Sequence, residues 1–178
     1  MVYLKNLYNK AIIIKYLKST HREGVDKIIE YMKENNFFEV PSSKNRHHNW
    51  RGGLAQHSLG VLKKAIEKSN DEIPQDRIII SALLHDICKT RQFYFDENGN
   101  IKTKKVKTPG HGYRSVRIIE DLGFNLTEDE RLAIRWHMGN WSENEEAKKD
   151  RAKAGKSQLW KIINAADRWD AAHHKPKN

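Results

Sequence analysis

The chain has 178 residues, 38% of them hydrophobic and 31% charged, which fits one soluble domain and leaves no room for a second catalytic module. No apolar run approaches the ~20 residues that a membrane-spanning helix needs, and the first residues lack the apolar stretch of a secretory signal. A single cysteine excludes an intramolecular disulfide. We therefore expect a cytoplasmic protein with no membrane association. The excess of 33 lysine and arginine residues over 23 aspartate and glutamate residues predicts a surface that attracts anions, most often phosphate-bearing molecules.

The first part of the chain has the mixed three- and four-residue spacing of apolar side chains that predicts helices at residues 3–18 and 23–35. Residues 39–52 have no such period, and their proline, serine and glycine predict a loop long enough to line a site. Helical spacing then returns. The later predicted helices cover residues 53–69, 75–89, 111–122, 127–138 and 157–172.

One segment, Gln92–Ile101, interrupts this helical pattern. It places Asn98 and Gly99 between aromatic and aliphatic residues, which predicts a hairpin turn. The expected fold is therefore all-α, a helical bundle with one short β-hairpin inserted after the helix at 75–89.

Histidine and aspartate side chains are spaced so that several can face one core. His57 lies on the apolar face of its predicted helix rather than on the lysine-rich face. The helix at 75–89 is apolar nearly all round, which implies burial, yet it carries His85 and Asp86 near its end. Burying an ionised aspartate without a partner costs several kcal/mol, and a divalent cation removes that cost.

The later candidates have similar helical placement. His111 and His137 each lie near apolar positions of their helices and can face the core. Asp167 and Asp170 can both point inward from the last helix, and their spacing does not separate them. Imidazole nitrogens and carboxylate oxygens suit Mn, Fe, Ni, Co, Zn or Mg, so we predict a site for one or two divalent ions, with Asp86 able to bridge two.

These residues resemble the H…HD…D signature of the HD-domain phosphohydrolase superfamily. The signature residues are His57, His85, Asp86 and Asp167. The surrounding segments are most similar to those of bacterial HD-domain 3′-to-5′ exoribonucleases, which share two additional histidines with phosphodiesterases of the superfamily. Those segments are Gly52–Ser58, Leu83–Lys89, Gly110–Gly112 and Trp136–Gly139. The resemblance implies one HD domain over residues 1–178, with a helical lead-in at 1–38 and the core at 40–172.

The resemblance also implies a binuclear centre and an activity. The first ion would be held by His57, His85, Asp86 and Asp167, and the second by Asp86, His111 and His137. The implied enzyme is a metal-dependent phosphohydrolase, in particular a phosphodiesterase that acts on a nucleotide or a nucleic-acid 3′ end through metal-activated water, with Asp86 as a catalytic residue.

Several other side chains are candidates for contacts with a phosphate-bearing substrate. Lys89, one turn beyond Asp86, is the best placed to contact a phosphate oxygen and to assist catalysis. Arg91 and Arg114 follow, and His48 in the predicted loop is a further candidate together with its neighbour His47.

Two other functions remain open. A mononuclear nucleotidase that releases phosphate from nucleoside monophosphates would use one ion, with His111 and His137 on the phosphate. A non-catalytic module would have a structural metal and bind single-stranded nucleic acid through its basic surface, including the lysine-rich stretches 102–107 and 148–156, although such runs are more often solvated faces. Six ligands favour the enzyme, because a structural site needs only four.

Overall fold

The computed structural model describes residues 2–105, 110–138 and 145–174. Within these ranges the chain is almost entirely helical, and the predicted all-α fold with one hairpin is confirmed. No helix among the described residues has both the length and the apolar character needed to cross a bilayer. The helices are α1 (Val2–Ser19), α2 (Val25–Glu34), α3 (Gly53–Lys68), α4 (Gln75–Leu84), α5 (His111–Asp121), α6 (Glu128–Trp136), α7 (Glu145–Lys156) and α8 (Gln158–His173).

The helix α3 lies at the centre of the molecule, where it packs against α8, α4 and α1. Its buried face includes Leu54, Val61 and Leu62, which have no exposed surface. The helix α4 is apolar on nearly every side, as its sequence predicted, and residues Ile78 to Leu84 are all buried. Two buried helices that pack side by side allow polar side chains at their ends to meet away from bulk water.

The predicted helix at 75–89 is wrong in one respect that matters for function. The α-helix ends at Leu84, and a 3₁₀ turn follows at Ile87–Arg91. Asp86 lies between them with a non-helical backbone (φ −113°, ψ 16°). On a continuous helix, neighbouring side chains diverge by about 100°, whereas this break allows His85 and Asp86 to face the same cavity.

The hairpin is confirmed where the sequence predicted it. Strand β1 (Phe93–Phe95) pairs antiparallel with β2 (Ile101–Thr103). Gly99 has a φ of 77°, a left-handed conformation that glycine adopts without strain. The Asp96 side chain accepts a hydrogen bond from the backbone N–H of Asn100 at 2.8 Å, which closes the turn.

The helix α7 was not predicted, because its segment has the composition of a solvated lysine-rich stretch. It buries only Ala147 and Ala154, which pack with Trp136 in a small second cluster. Two alanines two turns apart form too weak an apolar stripe to stand out among lysines. Residues 106 and 107 of the other lysine-rich stretch lie outside the described residues.

The predicted loop at 39–52 covers one end of α3. The Gly52 N–H donates to the Glu39 carbonyl at 2.7 Å, and the Ser42 N–H donates to the His48 carbonyl at 3.0 Å. A Cβ at Gly53 would lie 2.0 Å from the His48 carbonyl oxygen, so this close approach requires glycine. The loop is thereby held against the helix that carries His57.

Candidate metal centre and substrate cleft

Five of the six predicted ligands meet in one buried cage. His57 comes from α3, His85 and Asp86 from the end of α4, His137 from the end of α6, and Asp167 from α8. They form two overlapping groups of potential ligands that share His85. None of the five is more than 5% exposed, so residues far apart in sequence converge in a site with little access to bulk water.

The distances within the cage show how Asp86 connects its two halves. Its Oδ2 lies 3.4 Å from His85 Nε2, while its Oδ1 lies 3.5 Å from His137 Nε2. On the other side, His57 Nε2 lies 3.1 Å from Asp167 Oδ1. The two oxygens of Asp86 therefore face different histidines, which is the arrangement that a bridging carboxylate requires.

The three histidines of the cage are fixed in the same tautomer. Each is within hydrogen-bond distance of an acceptor through Nδ1, so Nδ1 carries the proton and Nε2 carries a lone pair when the ring is neutral. Carboxylate or carbonyl acceptors on the second ring nitrogen are the usual partners of metal-binding histidines. The pairs are His57 Nδ1 to Asp170 Oδ2 at 2.7 Å, His85 Nδ1 to the Ala82 carbonyl at 2.8 Å, and His137 Nδ1 to the Ile134 carbonyl at 2.7 Å.

The Nε2 atoms of these rings face one another and the carboxylates of the cage. The Nε2 atoms of His57 and His85 are 3.2 Å apart, and neither neutral ring has a proton to place between them. Among the described residues, Asp86 Oδ1 and His137 Nε2 are buried without a hydrogen-bond partner. Such an array is costly on its own and is satisfied by a cation, and its mixed nitrogen and oxygen donors fit a divalent metal ion.

The acid–base properties of the cage also favour a cation. Burial alone lowers the pKa of His57, but its hydrogen bonds with Asp167 and Asp170 raise that pKa to about 9. Burial raises the pKa of Asp86, yet the neighbouring Lys89 and His85 hold it well below its usual range. The carboxylates are thus ionised at neutral pH, and positive charge is drawn to the nitrogen that faces them.

The structure separates Asp167 from Asp170, which the sequence could not do. Asp167 lies on the Nε2 side of His57, within the cage, whereas Asp170 lies on the Nδ1 side, behind the ring. A Cβ at Gly60 of α3 would lie 2.0 Å from Asp170 Oδ1, so glycine is needed for α8 to bring this carboxylate so close. Asp170 is placed to orient His57, and Asp167 to bind an ion.

The predicted substrate residue His48 lies on the Asp170 side of His57 rather than among the cage ligands. Its side chain is fully buried and lies behind His57, with its Nδ1 3.6 Å from Asp170 Oδ2. Its loop neighbour His47 is half-buried, and its ring centroid lies 4.8 Å from that of His57. Of the two neighbouring loop histidines that the sequence put forward, His47 is therefore the one nearer to solvent.

The predicted catalytic residue Lys89 does lie at the cage. Its Nζ is 2.5 Å from Asp86 Oδ2 and donates a hydrogen bond to Ser42 Oγ at 3.2 Å. Only 7% of Lys89 is exposed, so its positive charge is held close to the ligands. Ser42, which sequence reasoning missed, fixes the ammonium from the loop.

His111, the sixth predicted ligand, does not belong to the ligand groups found among the described residues. Its Nδ1 lies 2.8 Å from an Arg114 guanidinium nitrogen, which can only donate a hydrogen bond. Burial lowers the pKa of His111 to about 4, so the neutral ring carries its proton on Nε2. In this tautomer His111 can donate a hydrogen bond to a phosphate oxygen, but it offers no lone pair to an ion.

A cleft of ≈ 270 Å³ lies between α5 and the 3₁₀ turn that follows Asp86, and Arg114 in its lining contacts His111. Both remaining predicted substrate residues, Arg91 and Arg114, line it. Arg91 Nε donates to the Tyr31 hydroxyl at 3.0 Å, and Arg114 donates to Gln92 Oε1 at 3.1 Å. The cleft is completed by Cys88, Tyr113, Arg117, Ile118 and Asp121.

A family model described as HD domain matches residues 54–172 of the chain. The chain belongs to the HD domain family. It is similar to a dihydroneopterin 2′,3′-cyclic phosphate phosphodiesterase from Methanocaldococcus jannaschii, with 36% identity over 103 residues that cover 53% of this chain and 39% of the relative. This HD chain thus spans less than half the length of that relative. No solved structure gives a significant match. The predicted superfamily of metal-dependent phosphohydrolases is confirmed.

In this HD domain, we expect Asp170→Asn to weaken metal binding by about 10- to 100-fold, the usual effect of losing a partner of a metal-binding histidine. The amide keeps the shape of the carboxylate but not the charge that holds the Nδ1 proton of His57. Competition with a chelating dye measures the affinity. Asp129→Asn, on a surface carboxylate paired with Arg77, is the matched control, and equal affinities for both variants would contradict the positioning role.

Proposed function

We propose that this HD domain is a divalent-metal-dependent phosphodiesterase that acts on a nucleotide or on a nucleic-acid 3′ end. The main observation in support is the convergence of three histidine Nε2 atoms and two carboxylates in a buried cage. Family membership supports a hydrolase of phosphoric esters. The relative is named for a cyclic phosphodiester substrate, which favours diesters over monoesters.

The proposed roles follow from the atoms that each residue presents. A divalent ion held by His57, His85, Asp86 and Asp167 would supply an acidified water as the nucleophile. Asp86 Oδ1 and His137 Nε2, which face each other at 3.5 Å, would be donors to a second ion. Manganese is the ion that we propose to test first, because a mixed histidine and carboxylate site accommodates it.

The substrate phosphate would be held by groups of the chain that carry or donate protons. Lys89 Nζ is fixed beside Asp86 by Ser42, where it can neutralise a non-bridging phosphate oxygen. The Nε2 proton of His111 would be donated in a hydrogen bond to a second oxygen. Arg91 and Arg114 line the adjoining cleft and would contact the substrate beyond the reacting group.

The tautomer of His111 favours a second candidate function. Because Arg114 occupies its Nδ1, the predicted second ion lacks one of its three expected ligands. A mononuclear HD nucleotidase, in which His111 contacts the phosphate of a nucleoside monophosphate, uses that same donor. His137 differs, since its Nε2 carries a lone pair and is suited to an ion rather than to a phosphate oxygen.

A substrate panel tests the proposal. Purified protein is assayed with manganese on bis(p-nitrophenyl) phosphate, 2′,3′-cyclic nucleotides, short single-stranded RNA and 5′-nucleotides. We expect kcat/KM for the best diester to exceed that for the best monoester by more than about tenfold, with activity lost in EDTA and restored by manganese. Hydrolysis of monoesters alone would establish the nucleotidase instead. Metal binding without any hydrolysis would support the non-catalytic nucleic-acid module.

A further inference from the structure

The cleft beside the metal centre has more positive charge than one reacting phosphate requires. Its lining includes three arginines, Arg91, Arg114 and Arg117, against one carboxylate, Asp121. Like charges brought together in a concave site repel one another and attract an anion. The cage itself already has Lys89 to neutralise a phosphate oxygen, so the arginines are available for a second anionic group.

The hydrogen bonds of these arginines leave donors free for a ligand. Arg91 uses its Nε for the Tyr31 hydroxyl, and each guanidinium has five N–H groups in total. Among the described residues, the Nε of Arg114 is buried without a hydrogen-bond partner. Arg117 lies 3.5 Å from Asp121, but both side chains are 58% exposed, and an exposed pair of this kind is weak.

The positions of these residues along α5 set the distance between the two anions. The 3₁₀ turn on one side of the cleft follows Asp86 directly, and α5 on the other side starts at His111. Arg117 lies six residues after His111, which is about 9 Å along a helix axis. That separation exceeds the size of one phosphate group and leaves room for a sugar between two phosphate groups.

An aromatic side chain lies on the same wall of the cleft, about one turn before Arg117. Tyr113 is 38% exposed and lines the cleft together with Ile118, and the Arg135 guanidinium lies 5.4 Å from its ring centroid. Exposed aromatic rings beside basic side chains are the usual contacts of single-stranded nucleic acids, because every base has a face that can stack.

We propose that this cleft is a second anion subsite, which binds a phosphate one nucleotide away from the reacting phosphodiester while Tyr113 stacks on a neighbouring base. This inference rests on the proposed phosphodiesterase function and narrows its substrate class. The substrate is a short single-stranded oligonucleotide with an additional phosphate, rather than an isolated cyclic nucleotide or a simple phosphate ester.

Matched dinucleotides test the subsite. The dinucleoside monophosphate ApA has one phosphodiester. The dinucleotide pApA adds a phosphate at the 5′ end, and ApAp adds one at the 3′ end. With manganese, we expect one of the two phosphorylated forms to have a KM about tenfold below that of ApA, because a charge-assisted hydrogen bond from arginine is gained. The kcat should change little. Equal KM values for all three dinucleotides would overturn the proposal.

Two variants identify the side chains responsible. Arg117→Ala should remove most of the tenfold preference for the phosphorylated dinucleotide over ApA. Its matched control is Arg131→Ala, which removes an exposed arginine that pairs with Glu120 at 2.7 Å and should keep the full preference. Loss of the preference in both variants, or in neither, would contradict a specific subsite at Arg117.

A binding measurement separates this inference from the proposed activity. Equilibrium dialysis of pApA, ApAp and ApA against the EDTA-treated protein requires no turnover. We expect the preferred phosphorylated form to bind about tenfold more tightly than ApA, and Arg117→Ala to remove that difference. If that result appears without hydrolysis of any diester, the subsite stands and the phosphodiesterase proposal fails. If diesters are hydrolysed but the three dinucleotides bind equally, the subsite fails alone.

Discussion

Asp86→Ala is expected to lower kcat by at least about 10³-fold, since an active-site metal contributes several kcal/mol of transition-state stabilisation and this variant removes the ligand that the two proposed ions would share. The Asp86 oxygens lie 3.4 Å from His85 Nε2 and 3.5 Å from His137 Nε2. The variant also leaves the buried Lys89 ammonium without its carboxylate. Steady-state kinetics on the best diester, together with elemental analysis of bound metal, provide the measurement.

A surface variant controls for the loss of a carboxylate in general. Asp129→Ala removes a partly exposed aspartate that, within the described part of the chain, forms an ion pair with Arg77 alone, and it should retain wild-type kcat and metal content. Circular dichroism on both variants shows whether they remain folded. A folded Asp86→Ala protein that keeps its metal and its turnover would remove Asp86 from the centre and leave the proposed function without its main support.

Much of the fold could be predicted from the spacing of apolar side chains. The residues of α3 and α4 are buried on the faces that this spacing indicates, and the Asn98-Gly99 turn produced the expected hairpin. These elements are stabilised by burial of their own side chains, which is a local property of the sequence. By contrast, α7 depends on packing of Ala147 and Ala154 against Trp136, which local spacing does not reveal.

The positions of the cage ligands could be predicted, but their chemical roles could not. His85 and His137 are both the residue that follows the last turn of an α-helix, and each is hydrogen-bonded through Nδ1 to the carbonyl three residues earlier. The last carbonyls of a helix lack helical partners, so a histidine at this position can donate from Nδ1 and present Nε2 forward. This shared placement is a sequence signal that could have identified both as ligands.

Other roles depend on contacts between distant segments. The Arg114 guanidinium occupies the Nδ1 atom of His111, which leaves the Nε2 atom of His111 as a hydrogen-bond donor. Packing of α8 puts Asp170 behind His57 and Asp167 inside the cage. Helical spacing gives both aspartates the same inward direction, because they are three residues apart. Which of them meets Nε2 and which meets Nδ1 follows from the way that α3 and α8 pack at Gly60.

Metal affinity is expected to increase with pH, by on the order of 10² between pH 6.5 and pH 8.5. A histidine must lose its proton to bind the ion, so each pH unit below its pKa lowers the metal affinity about tenfold. The ion needs the Nε2 lone pair of His57, whose pKa is raised to about 9 in the metal-free protein. Burial lowers the pKa of His137, but Asp86 and the other groups around the ring raise it by more than burial lowers it, so the net shift is upward. A proton on His137 therefore also competes with the metal, and its loss adds to the increase of affinity with pH. The affinity should level off once the pH exceeds about 9.

Titration calorimetry with manganese in buffers of different ionisation enthalpy measures both the affinity and the protons released, with at least one proton expected at pH 7.5. The metal-free protein should respond in the opposite sense. A protonated His57 with a raised pKa stabilises the fold below pH 6.5, and that contribution is lost as the pH rises through about 9. Asp170→Asn removes one of the contacts that raise this pKa, so its metal affinity should depend less steeply on pH. An affinity independent of pH in the wild-type protein would show that His57 does not bind the ion.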